Sequence, residues 1–98
     1  MASEIERALN SVGKACFIRY YKIFADENYS NTEIAIILSD ENGYTDKACQ
    51  TRTSKARTII KNGWTCPALE LIQSSSRLAP SVRMASQEIF NELCLEPK

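Results

Sequence analysis

Four cysteines and no histidine bound the chemistry open to this sequence. Cys16, Cys49, Cys66 and Cys94 stand far apart along the chain. Zinc sites take close-spaced pairs, so this spacing predicts no structural metal. A nucleophilic thiol needs a partner base, and with no imidazole present a catalytic cysteine is not expected. Each cysteine lies in or beside an apolar stretch. The expectation is four reduced, buried thiols that act as small hydrophobes. A disulfide needs an oxidising compartment, to which nothing else in the sequence points. The acidic pairs Asp26-Glu27 and Asp40-Glu41 fall where helices should end and read as solvated loop charge. The glycines at 13, 43 and 63 are isolated, so no loop is built to cradle a phosphate. These residues predict a protein that is not an enzyme and uses neither cofactor nor metal.

The remaining chemical signal is cationic. The chain is neutral overall, with twelve Lys/Arg against twelve Asp/Glu, which argues against a general polyanion coat. The charge is nevertheless uneven. Residues 1–43 carry a net of −3 and residues 65–98 a net of −1. Residues 44–64 carry Lys47, Arg52, Lys55, Arg57 and Lys61 against Asp46 alone, a net of +4. On a helical wheel Ala48, Cys49, Ala56, Ile59 and Ile60 fall within an arc of about 120°. The opposite side carries Lys47, Gln50, Thr51, Ser54, Arg57, Thr58 and Lys61. Solvated helix faces usually mix signs in i, i+4 pairs, whereas this face has almost no acid. Arginine and glutamine can read base edges, while lysine, serine and threonine grip phosphates. Arg52 falls inside the apolar arc. It either turns out to an acidic partner on the first or second helix or reaches a phosphate past the helix edge.

The elements that must position this face are read from periodicity and caps. Ser3-Glu4-Ile5-Glu6 is a capping box. Ile5, Leu9, Val12, Cys16, Tyr20 and Ile23 then form one stripe, predicting a helix to about Ala25 with a weak point or kink at Gly13. Ser30 and Glu33 cap a second helix with Ile34, Ala35, Ile37 and Leu38 inward, after which Ser39 to Tyr44 form a long turn. Thr45 caps a third helix that reaches Asn62 and closes on Gly63, with Trp64 folding back as an anchor. A fourth helix starts at Thr65-Cys66-Pro67, carries Leu69, Leu71 and Ile72, and frays at Ser74-Ser75-Ser76. A fifth starts at Pro80, with Val82, Ala85, Ile89, Phe90 and Leu93 at helical spacing. No stretch alternates with period two. The expected fold is all-α, a compact five-helix domain spanning 1–98.

Residues 32–60 resemble a helix-turn-helix protein. Thr-Glu-Ile-Ala-Ile-Ile-Leu matches the first helix of that superfamily. Thr51-Arg52-Thr53-Ser54-Lys55-Ala56-Arg57 is similar to recognition helices in the DNA-binding region 4 of extracytoplasmic-function sigma factors. The resemblance implies a helix-turn-helix-like unit at about 30–63, with its first helix across the backbone and its second in the major groove. It further implies that Lys47, Gln50, Thr51 and Ser54 face bases, while Lys55, Arg57, Thr58 and Lys61 touch phosphates.

These readings predict a small sequence-specific binder of double-stranded DNA, a transcriptional regulator. The alternative is a helical protein–protein adaptor with no nucleic-acid role. Five helices in 98 residues cannot all be enclosed, so the fifth, at about 80–94, is also a candidate for pairing a homodimer. No run of 18 apolar residues is present, and Met-Ala-Ser-Glu-Ile-Glu has neither the basic nor the apolar part of a secretory leader. The expected location is therefore cytoplasmic, away from membranes.

Overall fold

The described residues of the computed structural model are 3–75 and 77–94. Ser76, read above as part of a fraying serine run, lies outside them, as do Met1, Ala2 and residues 95–98. Among the described residues the chain forms seven α-helices and no strand. They are α1 (Glu4–Val12), α2 (Lys14–Arg19), α3 (Tyr21–Phe24), α4 (Asn31–Asn42), α5 (Asp46–Lys61), α6 (Thr65–Gln73) and α7 (Pro80–Leu93). The single first helix expected from periodicity is thus three pieces, and five helices become seven.

The first break is at Gly13, with φ 92° and ψ 126°. A residue with a side chain rarely holds that φ. The site is also closed from outside: a Cβ at position 13 would stand 2.9 Å from Nη1 of Arg52. That same nitrogen donates to the Val12 carbonyl, which α1 leaves open at its end. The guanidinium carbon lies 4.1 Å from the centre of the Tyr44 ring, a cation–π contact. Arg52 therefore holds the end of α1 against the start of α5 and meets a carbonyl and a ring, not a carboxylate.

The second break is at Tyr20, with φ −111° and ψ 16°. Its ring is buried, and its hydroxyl donates to Glu41 Oε1 at 2.6 Å and accepts from Asn42 Nδ2 at 3.0 Å. Asn42 also donates to the Leu38 carbonyl at 3.1 Å. These bonds keep residues 39–42 helical, so α4 runs four residues past its expected end. Gly43 closes it in the left-handed conformation, at φ 70° and ψ 20°. The connection to α5 is consequently Gly43-Tyr44-Thr45 and not the six residues from Ser39 to Tyr44.

Local capping follows the sequence closely. Ser3 Oγ accepts from Glu6 N at 3.1 Å, which is one of the two bonds of the box expected there. Ser30 and Glu33 make both bonds of a capping box, at 3.1 and 2.9 Å. Thr45 Oγ1 accepts from Ala48 N at 3.2 Å. At the far end of α5, Gly63 N donates to the Ile60 carbonyl and Trp64 N to that of Ile59.

Helix α5 is central, with α1 and α4 packed along it. Leu9, Val12, Phe17, Ile34, Leu38, Cys49, Ala56, Ile59, Ala68, Leu69 and Ile72 are fully buried. Phe17 and Phe24, absent from the expected stripe, are buried alongside its Cys16 and Tyr20, so this segment is covered over a wider face than the stripe. Helices α6 and α7 pair, and α7 also meets α2. A disulfide joins Cys66 in the first turn of α6 to Cys94 just past α7, with Cα atoms 6.0 Å apart. This corrects the expectation of four reduced thiols: two are free, Cys16 and Cys49, and both are buried. Burial pushes both thiols up from their usual range, at Cys16 against the opposing pull of Arg52, so they stay protonated at neutral pH.

Among the described residues two buried polar atoms have no counterpart, Nε2 of Gln73 and the hydroxyl of Thr53. Thr53 is fully enclosed on the core face of α5, and its hydroxyl has no hydrogen-bond partner. An enclosed hydroxyl that has lost water and gained nothing is destabilising. Thr53→Val keeps the shape and removes that hydroxyl. The variant is expected to be more stable by about 1 kcal/mol, read as a higher urea midpoint at unchanged m-value.

Candidate nucleic-acid interface

The candidate surface is the outward side of α5, which spans about 24 Å. Burying Cys49, Thr53, Ala56 and Ile59 fixes the rotation of the helix. Lys47, Gln50, Thr51, Ser54, Lys55, Thr58 and Lys61 are then all exposed. Asp46 in the first turn is the only carboxylate on this helix, and there it complements the helix dipole.

Arg57 is not available in the way expected. It is half-buried on the flank of α5 that faces the connection from α3 to α4. Its Nε donates to the Phe24 carbonyl at 3.1 Å and Nη1 to Asn31 Oδ1 at 2.9 Å. Its Nη2 donates to the carbonyls of Asp26 and Tyr29 at 2.8 and 2.6 Å. A guanidinium so engaged ties loop to helix, and the phosphate role assigned to it is corrected. Thr58 is exposed, but its hydroxyl donates to the Ser54 carbonyl at 2.9 Å, so it offers an approaching phosphate no proton. Among the described residues, the side-chain hydrogen bonds from α5 cations to the rest of the fold come from Arg52 and Arg57.

The two flanks of α5 differ. Toward α4 a groove of about 320 Å³ is lined by Thr32, Ile36, Ser39, Asp40, Asp46 and Gln50. Ile36 is 55% exposed there. Toward α1 a cleft of about 450 Å³ is lined by Glu4, Arg7, Ser11, Lys55, Thr58 and Trp64. Arg7 was missed in the sequence, because its place beside Lys55 depends on α1 lying along α5. Its only local signal is the spacing with Ser11, four residues on along the polar face of α1.

Helix α7 turns most of its apolar residues inward. Val82, Ala85, Ile89 and Phe90 pack against the core, leaving Met84 and Leu93 exposed at 68% and 46%. Among the described residues no three His, Cys, Asp or Glu side chains gather as a metal ion would require, and no helix is long and apolar enough to cross a membrane. The chain matches no protein-family model, no curated protein and no solved structure.

Proposed function

We propose that the protein binds double-stranded DNA through α5, reading sequence in the major groove as a small transcriptional regulator. One observation carries this reading. Lys47, Gln50, Thr51, Ser54, Lys55 and Lys61 stand exposed on a single helix whose other face is locked into the core. The three-residue connection from α4, opening on a left-handed glycine, adds support, since helix-turn-helix units use short turns that often contain glycine. Gln50, Thr51 and Ser54 suit base edges, Lys55 and Lys61 suit phosphates, and Lys47, which the resemblance sets at the bases, is assigned here to a phosphate as well.

Binding to a labelled mixed-sequence duplex, followed by anisotropy across a salt series, tests this. The three lysines alone contribute about −2.7 to the slope of log K against log[salt], which by itself is a loss of roughly 40-fold between 50 and 200 mM salt. Each of Lys47→Ala and Lys61→Ala is expected to make the slope shallower by about 0.9. Gln50→Ala should alter which duplexes are enriched from a random library and leave the slope unchanged. No binding at about 50 mM salt overturns the proposal.

The adaptor reading is favoured by a different observation. A groove of about 620 Å³ between α2–α3 and α7 has Tyr21, Ile23 and Ala85 along it, among the charges of Arg19, Lys22, Glu88 and Glu92. A dimer through α7 forms no part of the proposal, because Val82, Ile89 and Phe90 already face the core.

A further inference from the structure

We infer that the cleft between α1 and α5 is a phosphate site, so that a DNA backbone lies along α1 and not along α4. This rests on the DNA-binding reading and specifies its contacts. The helix-turn-helix resemblance would send the first helix of the unit, α4, across the backbone. Its charges oppose that. Helix α4 carries Glu33, Asp40 and Glu41 and no lysine or arginine. The groove it shares with α5 is lined by Asp40 and Asp46, beside the exposed Ile36. A phosphodiester there meets two carboxylates and an aliphatic side chain.

The α1 side is opposite in sign. Arg7 and Lys55 line one cleft against the single carboxylate of Glu4, leaving a net cation. Arg7 and Lys55 are both exposed, so neither must be desolvated before an anion arrives. Ser11 already donates to the Arg7 carbonyl, and Thr58 to that of Ser54, so the donors left for a phosphate are the guanidinium and the ammonium. Arginine can grip a phosphate with two parallel N–H bonds, while lysine acts as a point charge. The cleft runs beside the exposed stripe of α5, so one strand can reach Arg7 while the helix faces the bases.

The test uses the whole chain and a labelled 16-base-pair duplex of mixed sequence. Arg7→Gln is expected to weaken binding about eightfold at 0.1 M salt and to make the salt slope shallower by about 0.9, the loss of one counterion-releasing contact. Lys55→Gln should do the same. Glu4→Gln removes the opposing carboxylate and should tighten binding. Asp40→Asn changes net charge by the same amount in the groove on the other flank, where no phosphate is placed, and should tighten binding less than Glu4→Gln does. The inference is overturned if Arg7→Gln leaves the slope unchanged while Lys47→Ala lowers it, or if Asp40→Asn tightens binding as much as Glu4→Gln. Wild-type protein that binds no duplex overturns the DNA-binding reading itself and the phosphate site with it.

Discussion

Arg57→Ala is expected to lower the unfolding free energy by about 3 kcal/mol, the largest effect of any α5 cation. Hydrogen bonds to a charged donor contribute about 1.5–3 kcal/mol each when buried, but they are not additive and this guanidinium is only half-buried. The four bonds to Phe24, Asp26, Tyr29 and Asn31 together fix the connection from α3 to α4 against α5. Alanine leaves the carbonyls of Phe24 and Tyr29 to find water on a partly covered surface, while that of Asp26 keeps the Tyr29 amide at 3.2 Å. Arg57→Lys keeps the charge and most of the stem but replaces a planar fork with one ammonium, so it should recover less than half of the loss. Lys61→Ala, on the exposed side of the same helix, should stay within about 0.5 kcal/mol of the parent. Urea denaturation separates these outcomes. An Arg57→Ala midpoint equal to that of the parent would show that the four bonds contribute nothing net. The result also controls the reading of binding data: lost DNA affinity in an Arg57 variant reports folding, whereas in a Lys61 variant it reports contact.

What could be read from the sequence, and what could not, divides by the range of the interaction. The caps at Ser3, Ser30 and Thr45 and the stop at Gly63 each join residues at most five apart, so a short window contains both partners. The inward face of α5 was legible for the same reason, since 3.6-residue periodicity is local. Gly13 marked a weak point, but the full break depends on Arg52, 39 residues further on. The last turn of α4 looked like a polar turn because Asp40, Glu41 and Asn42 are polar. They remain helical because Tyr20 sits beneath them. Arg57 and Lys61 lie one helical turn apart and look alike on a wheel. Only the loop folded over one of them tells them apart. Thr53 was passed over as a core residue because its side chain is polar, yet it is fully buried.

Replacing Cys66 and Cys94 together by serine is expected to cost about 3 kcal/mol and to lower the thermal midpoint by roughly 12–15 °C. The cysteines are 28 residues apart, and a cross-link over a loop of that length restricts the unfolded chain by an amount in that range. The folded side of the balance points the same way. Only Ser86 of α7 is fully buried, with its hydroxyl donating to the Leu69 carbonyl of α6 at 3.3 Å. Val82, Ala85, Ile89 and Phe90 are half-buried, so α7 is seated by partial contacts and clipped at its C-terminal end. Without the clip, α7 should open before the rest of the molecule. Amide exchange is therefore expected to quicken across residues 80–93, while α5, held between α1 and α4, keeps most of its protection. Reduction of the parent protein should reproduce the serine variant in both respects, because the buried thiols of Cys16 and Cys49 are not part of the cross-link. A double-serine variant that melts with the parent would mean that the packing of α7 alone carries its attachment. Accelerated exchange spread evenly over all helices would instead place the α6–α7 pair within a single cooperative unit with the α1–α5 core.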